Sequence, residues 1–249
     1  MTSELDLKRQ HHPDAIRERL ESPRSNFVAS AVLGGIDGSV TTFAIVAASV
    51  GGGLSEIVII ILGLANLLAD GFSMAVGNYH ATESQVEQIE MARRVENDHI
   101  DRVPEGEREE VRMILERKGL RGETLENAVA VITSDRRLWI DTMVAEEWGL
   151  PVAHPSPFKE ALATFGAFAV CGFLPLLPFL VQRGDMQGQF MISVVLTGFA
   201  FLTVGVLKGI VLETSPIRSG TVTLATGGIA AGLAYGVGAL LRFWLGGEL

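Results

Sequence analysis

The chain has 249 residues, of which 48% are hydrophobic and 28 are glycine, with a formal charge of −9 and a mean hydropathy of +0.33. This composition fits a polytopic membrane protein better than a water-soluble domain, and net acidity argues against a nucleic-acid partner. A single cysteine, Cys171, excludes an internal disulfide framework.

The expected architecture is all-α, with five membrane helices and a helical subdomain inserted after the second. Residues 1–26 are polar and mixed in charge, without the short apolar core of a cleavable signal peptide. They are expected to form an arm, either flexible or a surface helix, in which His11 and His12 are inert.

The first two apolar stretches, Phe27 to Val50 and Leu54 to Tyr79, make up the next segment, residues 27–79. Asp37 lies about 15 Å into the first at ~1.5 Å per residue, and Asp70 nearly as far from the end of the returning one. In an antiparallel hairpin both acids reach similar depth, near the middle of a roughly 30 Å hydrocarbon layer. A carboxylate there is read first as part of an ion or proton pathway. Asn66, Asp70 and Met74 recur every fourth residue along one stripe, and Gly38 beside Asp37 admits a close backbone or ligand. The alternative for the acids is a bond to a neighbouring helix, and for Met74 it is core filling.

Residues 80–158 hold seventeen acids against ten Lys and Arg, so most of the net charge resides there. The segment from Tyr79 to Ile100 has neither Gly nor Pro and continues the second span as a helix. Pro104 breaks it. A helix over Glu105 to Lys118 ends at Gly119 and Gly122, and two more follow, about Glu123 to Thr133 and Asp135 to Trp148. The pairs Glu96/His99 and Glu107/Glu110 at i, i+3, and Met143/Glu147 at i, i+4, each share a helix face and offer two donors to one ion. Carboxylate, imidazole and thioether together suit Fe²⁺, Mn²⁺ or Zn²⁺ better than Ca²⁺ or Mg²⁺. A solvated face with ordinary Glu/Arg pairing is the competing reading.

Residues 159–249 carry three more stretches, Glu160 to Val181, Phe190 to Leu212 and Thr221 to Leu245. Pro175 and Pro178 weaken helical bonding in the third span, as a hinge or as a static kink. Cys171 is a small packing residue and Lys208 is expected to snorkel to phosphates. Gly228, Gly232 and Gly236 form a small-residue stripe for helix association, within one protomer or between two. Basic residues concentrate in the arm (Lys8, Arg9, Arg17, Arg19, Arg24), in residues 80–158, and near Lys208 and Arg218, while the third connection has only Arg183. The positive-inside rule therefore places the N-terminus and the subdomain in the cytoplasm, and five spans put the C-terminus outside.

The run Val32-Leu-Gly-Gly-Ile-Asp-Gly-Ser-Val-Thr-Thr-Phe43, with Gly63-Leu-Ala-Asn-Leu-Leu-Ala-Asp-Gly-Phe-Ser-Met74, closely resembles the vacuolar iron transporter (Ccc-type) family of Fe²⁺ and Mn²⁺ exporters. The likeness continues in Val103-Pro-Glu-Gly-Glu-Arg-Glu-Glu110, Trp139-Ile-Asp-Thr-Met143, Leu174-Pro-Leu-Leu-Pro178 and Gly205-Val-Leu-Lys-Gly209. It implies a non-enzymatic, five-span homodimer without a prosthetic group, exchanging divalent metal (Fe²⁺, or Mn²⁺, Zn²⁺ or Co²⁺) for protons. The membrane would be the cell (inner) membrane of a bacterium or the vacuolar membrane of a eukaryote. The family's membrane pathway falls on Asp37 and Met74, and its cytoplasmic ligands fall on Glu96, His99, Glu107, Glu110, Met143 and Glu147. Asn66 and Asp70 are further candidates for the pathway. His99 stands where plant members usually have glutamate, and Val144 where a second methionine follows the first. The number of ions held there and their preference are left open.

Three other functions compete. A di-iron oxidase needs two Glu-x-x-His helices, and only Glu96-Asn-Asp-His99 is present. A cation channel uses the same acids without proton coupling. A membrane-anchored sensor or buffer has no use for Asp37.

Overall fold

The computed structural model describes residues 9, 11–21, 27–181 and 185–245. Lys8 and Arg24 of the arm, and Arg183 of the third connection, lie outside the described residues. Among those described, every regular element is helical. The helices are α1 (Pro13–Glu21), α2 (Phe27–Gly52), α3 (Glu56–Arg102), α4 (Pro104–Arg117), α5 (Gly122–Ser134), α6 (Arg136–Glu146), α7 (Pro157–Phe173), α8 (Leu177–Val181), α9 (Met186–Val211) and α10 (Pro216–Trp244). A 3₁₀ turn, Leu174–Leu176, joins α7 to α8. Five helical stretches are long and apolar enough to cross a membrane: α2, α3, residues 157–181, α9 and α10.

The third span begins at Pro157, earlier than its apolar run. Proline fits the first helical position, where its missing N–H leaves no bond unmade. Pro175 breaks the same span into the 3₁₀ turn, and its carbonyl accepts a 2.7 Å hydrogen bond from the Ser193 hydroxyl of α9. The break is therefore satisfied from a neighbouring helix, as irregular backbone in hydrocarbon requires.

The chain divides into two compact units. One comprises residues 25–81 and 156–249, the other residues 82–155 with the N-terminal arm. In the first, α2 is the hub and touches α7, α9 and α10. Small residues allow this approach. A Cβ on Gly34 would sit 2.2 Å from the Thr164 carbonyl oxygen, and one on Gly38 would sit 2.4 Å from that of Phe168. Toward α10, Gly51 faces the Tyr235 carbonyl and Gly238 faces that of Ala48. Phe43, Val46, Ile59, Leu67, Phe168, Leu176 and Phe179 fill the core. The second span is held by side chains, with Gly63 against Leu176 and Gly71 against Phe165 and Phe168.

The stripe Gly228, Gly232, Gly236 meets nothing within 4 Å. Its reading as a packing face inside one protomer is therefore overturned, because Gly227 and Gly238 take that part, against Phe201 and Ala48.

In the other unit, the last turns of α3 and helices α4, α5 and α6 close over Ile100, Val111, Ile114, Leu125, Val129, Trp139 and Met143. Pro104 starts α4, Gly119 and Gly122 take positive φ of 98° and 57° at the α4–α5 turn, and Asp135 caps α6 through the Arg137 and Leu138 amides.

Gly34→Leu should destabilise the detergent-solubilised protein by on the order of 1–3 kcal/mol through overpacking against backbone. Gly232→Ala, in open space, should stay within about 0.5 kcal/mol of the original. Thermal unfolding of the two variants side by side checks this. Equal shifts would mean that Gly34 does not make the crossing with the third span.

Candidate metal centre

The acidic unit assembles its site from three helices. The end of α3 supplies Glu96 and His99, the start of α4 supplies Glu107 and Glu110, and the residues after α6 supply Glu147 and Trp148. Glu96 and Glu107 are only 1% and 3% exposed, and His99 is half exposed. One ligand atom from each of Glu96, His99 and Glu107 lies within 4.8 Å of the other two, the spacing of a shared ion. His99 Nδ1 is 3.2 Å from Glu107 Oε1, and the Trp148 indole N–H donates to Glu96 Oε1 at 2.7 Å. The remaining oxygens, Oε2 of Glu96 and of Glu107, are buried without a hydrogen-bond partner. A buried carboxylate oxygen left this way calls for a proton or a cation.

The electrostatics follow from the crowding. Burial, and then the negative charges of Glu96 and Glu110, push the Glu107 carboxyl up to about 7, with His99 opposing. Burial and the same two acids raise Glu147 as well, again opposed by His99. Glu110 and Glu147 line one cleft of about 320 Å³ with Met113, Ile114 and Arg117. The structure thus gathers Glu96, His99, Glu107, Glu110 and Glu147 into one electrostatic neighbourhood. Met143 is placed differently: it is wholly enclosed in the apolar core, as is Val144. Trp148 was not singled out from sequence, although an indole N–H directly after Glu146-Glu147 is a donor suited to a carboxylate.

In the membrane unit, Asp37 is half-buried on α2 and within electrostatic reach of Asp70, which is exposed on α3. No Lys, Arg or His pairs with either acid among the described residues. Met74 is half-buried against the core. Asn66 donates at 3.3 Å to both the Thr41 and Thr42 hydroxyls, and Thr41 donates to the Asp37 carbonyl at 2.9 Å. Asn66 thereby braces the hairpin that carries both acids.

Comparison with known proteins identifies the family. The profile described as VIT family matches residues 28–239. The vacuolar iron transporter of Toxoplasma gondii is 33% identical over 256 residues, covering 98% of this chain and 84% of that protein. Vacuolar iron transporter 1 of Arabidopsis thaliana is 30% identical, covering 84% and 83%. Vacuolar iron transporter 2 of Oryza sativa is 31% identical, covering 84% and 85%. The chain belongs to the VIT family.

Because Glu107 takes its proton at about 7, a metal entering this site competes with that proton, and affinity should fall steadily from about pH 7.5 to 6. Without metal, the folded state binds the proton more tightly than an unfolded chain with its value near 4.5. Its stability contribution is therefore present below that pH and lost as pH rises toward 7. Trp148→Phe, which leaves Glu96 without its donor, should weaken binding roughly tenfold or more. Calorimetric titration of the full chain with Fe²⁺ or Zn²⁺ at several pH values tests each statement, and pH-independent affinity would remove Glu107 from the ligand set.

Proposed function

We propose that this member of the VIT family carries a divalent transition metal, Fe²⁺ and also Mn²⁺, out of the cytoplasm in exchange for protons. The observation that carries the reading is Asp37, an acid in the middle of an apolar span with a second acid in reach and no cationic partner among the described residues. A structural carboxylate in hydrocarbon is paired, whereas one that waits for a cation belongs to a pathway.

In this mechanism the acidic unit gathers metal from the cytoplasm through Glu96, His99 and Glu107, with Glu110 and Glu147 supplying surrounding negative charge. Met143, at the family position, offers its thioether from the core of the same unit. Metal then enters the membrane unit, where Met74 offers a soft donor and Asp37 a hard one, a combination suited to borderline ions. Asp37 holds a proton while no metal is there, and the ion must displace it. That obligatory displacement links the two flows. Asn66 keeps the hairpin in register, and Asp70 shares the charge. The concentration of Lys and Arg in residues 80–158 supports the cytoplasmic placement of that unit. The relatives' names support iron as the cargo. The open stripe of Gly228, Gly232 and Gly236 supports assembly as a homodimer.

Proteoliposomes carrying an iron-sensitive and a pH-sensitive dye provide the test. Fe²⁺ uptake should be accompanied by opposite proton movement, and Asp37→Asn, similar in size but without exchangeable charge, should reduce flux at least a hundredfold while the thermal unfolding midpoint stays put. Flux without proton movement would make the protein a channel. Undiminished flux in Asp37→Asn would move the intramembrane site elsewhere.

A further inference from the structure

A third acid lies in the membrane unit and has no part in the mechanism above. Glu160, in the first turn of α7, is 4% exposed. Its Oε2 accepts a 2.5 Å hydrogen bond from the Ser30 hydroxyl of α2. Asn78 of α3 donates to Ser30 Oγ at 3.0 Å and to Thr164 Oγ1 at 2.7 Å, and the Thr164 hydroxyl is 3.0 Å from the Glu160 carbonyl oxygen. Side chains of three spans therefore form one network, in which the Ser30 hydroxyl bonds the carboxyl. Asn78 also extends the stripe Asn66, Asp70, Met74 by one further turn, and Ser30 precedes Asp37 on α2 by seven residues, about 10 Å. The cluster and the Asp37/Met74 pair thus lie along the same two helices.

What surrounds Glu160 is polar but uncharged. Among the described residues no Lys, Arg or His pairs with it. On its own helix the adjacent Lys159 is exposed, and on α3 the residues after Asn78 are Tyr79 and His80, whose rings meet edge-on at 5.5 Å. On α2 the acid that follows Ser30 is Asp37 itself. A hydroxyl and the first turn of a helix stand beside the carboxyl. A buried carboxyl with a hydroxyl donor and no permanent counter-ion among the described residues is placed to exchange a proton.

We propose that Glu160, held by Ser30, Asn78 and Thr164, is a second proton-exchange site of the transport cycle. Its carboxyl O–H gives a proton to water as metal passes along the first two spans and takes one back from water after the metal has left. This inference rests on the proton exchange proposed above and adds a further carrier of it.

The experiment uses the full chain in proteoliposomes, with protons counted per Fe²⁺ moved and initial rates measured from pH 5.5 to 7.5. Glu160→Gln keeps an oxygen for the Ser30 hydroxyl and removes the exchangeable proton. Fe²⁺ flux should remain measurable, with fewer protons moved per iron and a flattened pH profile. Ser30→Ala removes the donor and keeps the acid. It should retain the proton count while moving the half-maximal pH upward, since only the anion loses a partner. If Glu160→Gln does not fold, the Ser30→Ala shift still decides, and an unshifted profile overturns the proposal. A wild-type proton count and pH profile in Glu160→Gln, beside proton-coupled wild-type transport, reduces the cluster to a clamp between helices and leaves the transport reading standing. Iron movement without protons in the wild type overturns both.

Discussion

An ionised carboxylate removed from water must be given a cation, a proton or a full set of donors, and the rest of this structure depends on how its buried acids meet that demand. Glu96 has one oxygen bonded to Trp148 and one open, and Glu107 has one oxygen beside His99 and one open. Asp37 has another acid, Asp70, within electrostatic reach and no cationic partner among the described residues. Under the proposed function these arrangements are half-completed coordination spheres. A protein selected for stability alone would have paired or removed such groups, because replacing buried charge by well-packed apolar side chains is often neutral or stabilising. In the proposed cycle these open positions are where the cation comes and goes.

The two units meet the structural demand by different means. Hydrocarbon offers no hydrophobic drive between spans, so the membrane unit is held by close backbone approach at Gly34, Gly38, Gly51 and Gly238 and by hydroxyls that bond within and between helices. Ser39 returns its hydroxyl to the Gly35 carbonyl and Thr41 returns its own to that of Asp37, so the polar residues around the acid leave no orphan donor. The acidic unit instead encloses a compact apolar core under its charged surface. Met143 lies within that core.

Much of this was legible in the sequence, for reasons that differ between elements. The spans read clearly because length and hydropathy are local properties, and Pro104, Gly119, Gly122 and Asp135 marked the acidic unit's helix ends through equally local backbone chemistry. Helical spacing put Glu96 with His99 and Glu107 with Glu110. It did not reveal that the two pairs meet across helices, nor that Trp148 completes them from 52 residues away. Met143 is the converse case, since i, i+4 spacing from Glu147 shows that two side chains share a face but not which of them turns inward. Glu160 read only as the polar start of a span, because its partners Ser30 and Asn78 are supplied by two other helices. The glycine stripe of the fifth span likewise gave no sign of which side it faced.

A carrier must release what it captures, and the crowding of acids in the acidic unit bears on that requirement. Several carboxylates around one ion would bind it tightly if all were ionised beforehand. Here their mutual repulsion and burial keep Glu107 near the point of half-protonation at neutral pH, so part of the attraction to metal is offset by the proton it must expel. The same linkage that makes the site responsive to pH makes its grip moderate. His99 bears on this balance, because its ring nitrogen stands 3.2 Å from Glu107 and opposes the rise there. In the proposed cycle, affinity that a proton can erode is what allows one ion to be passed on and the next to be taken up.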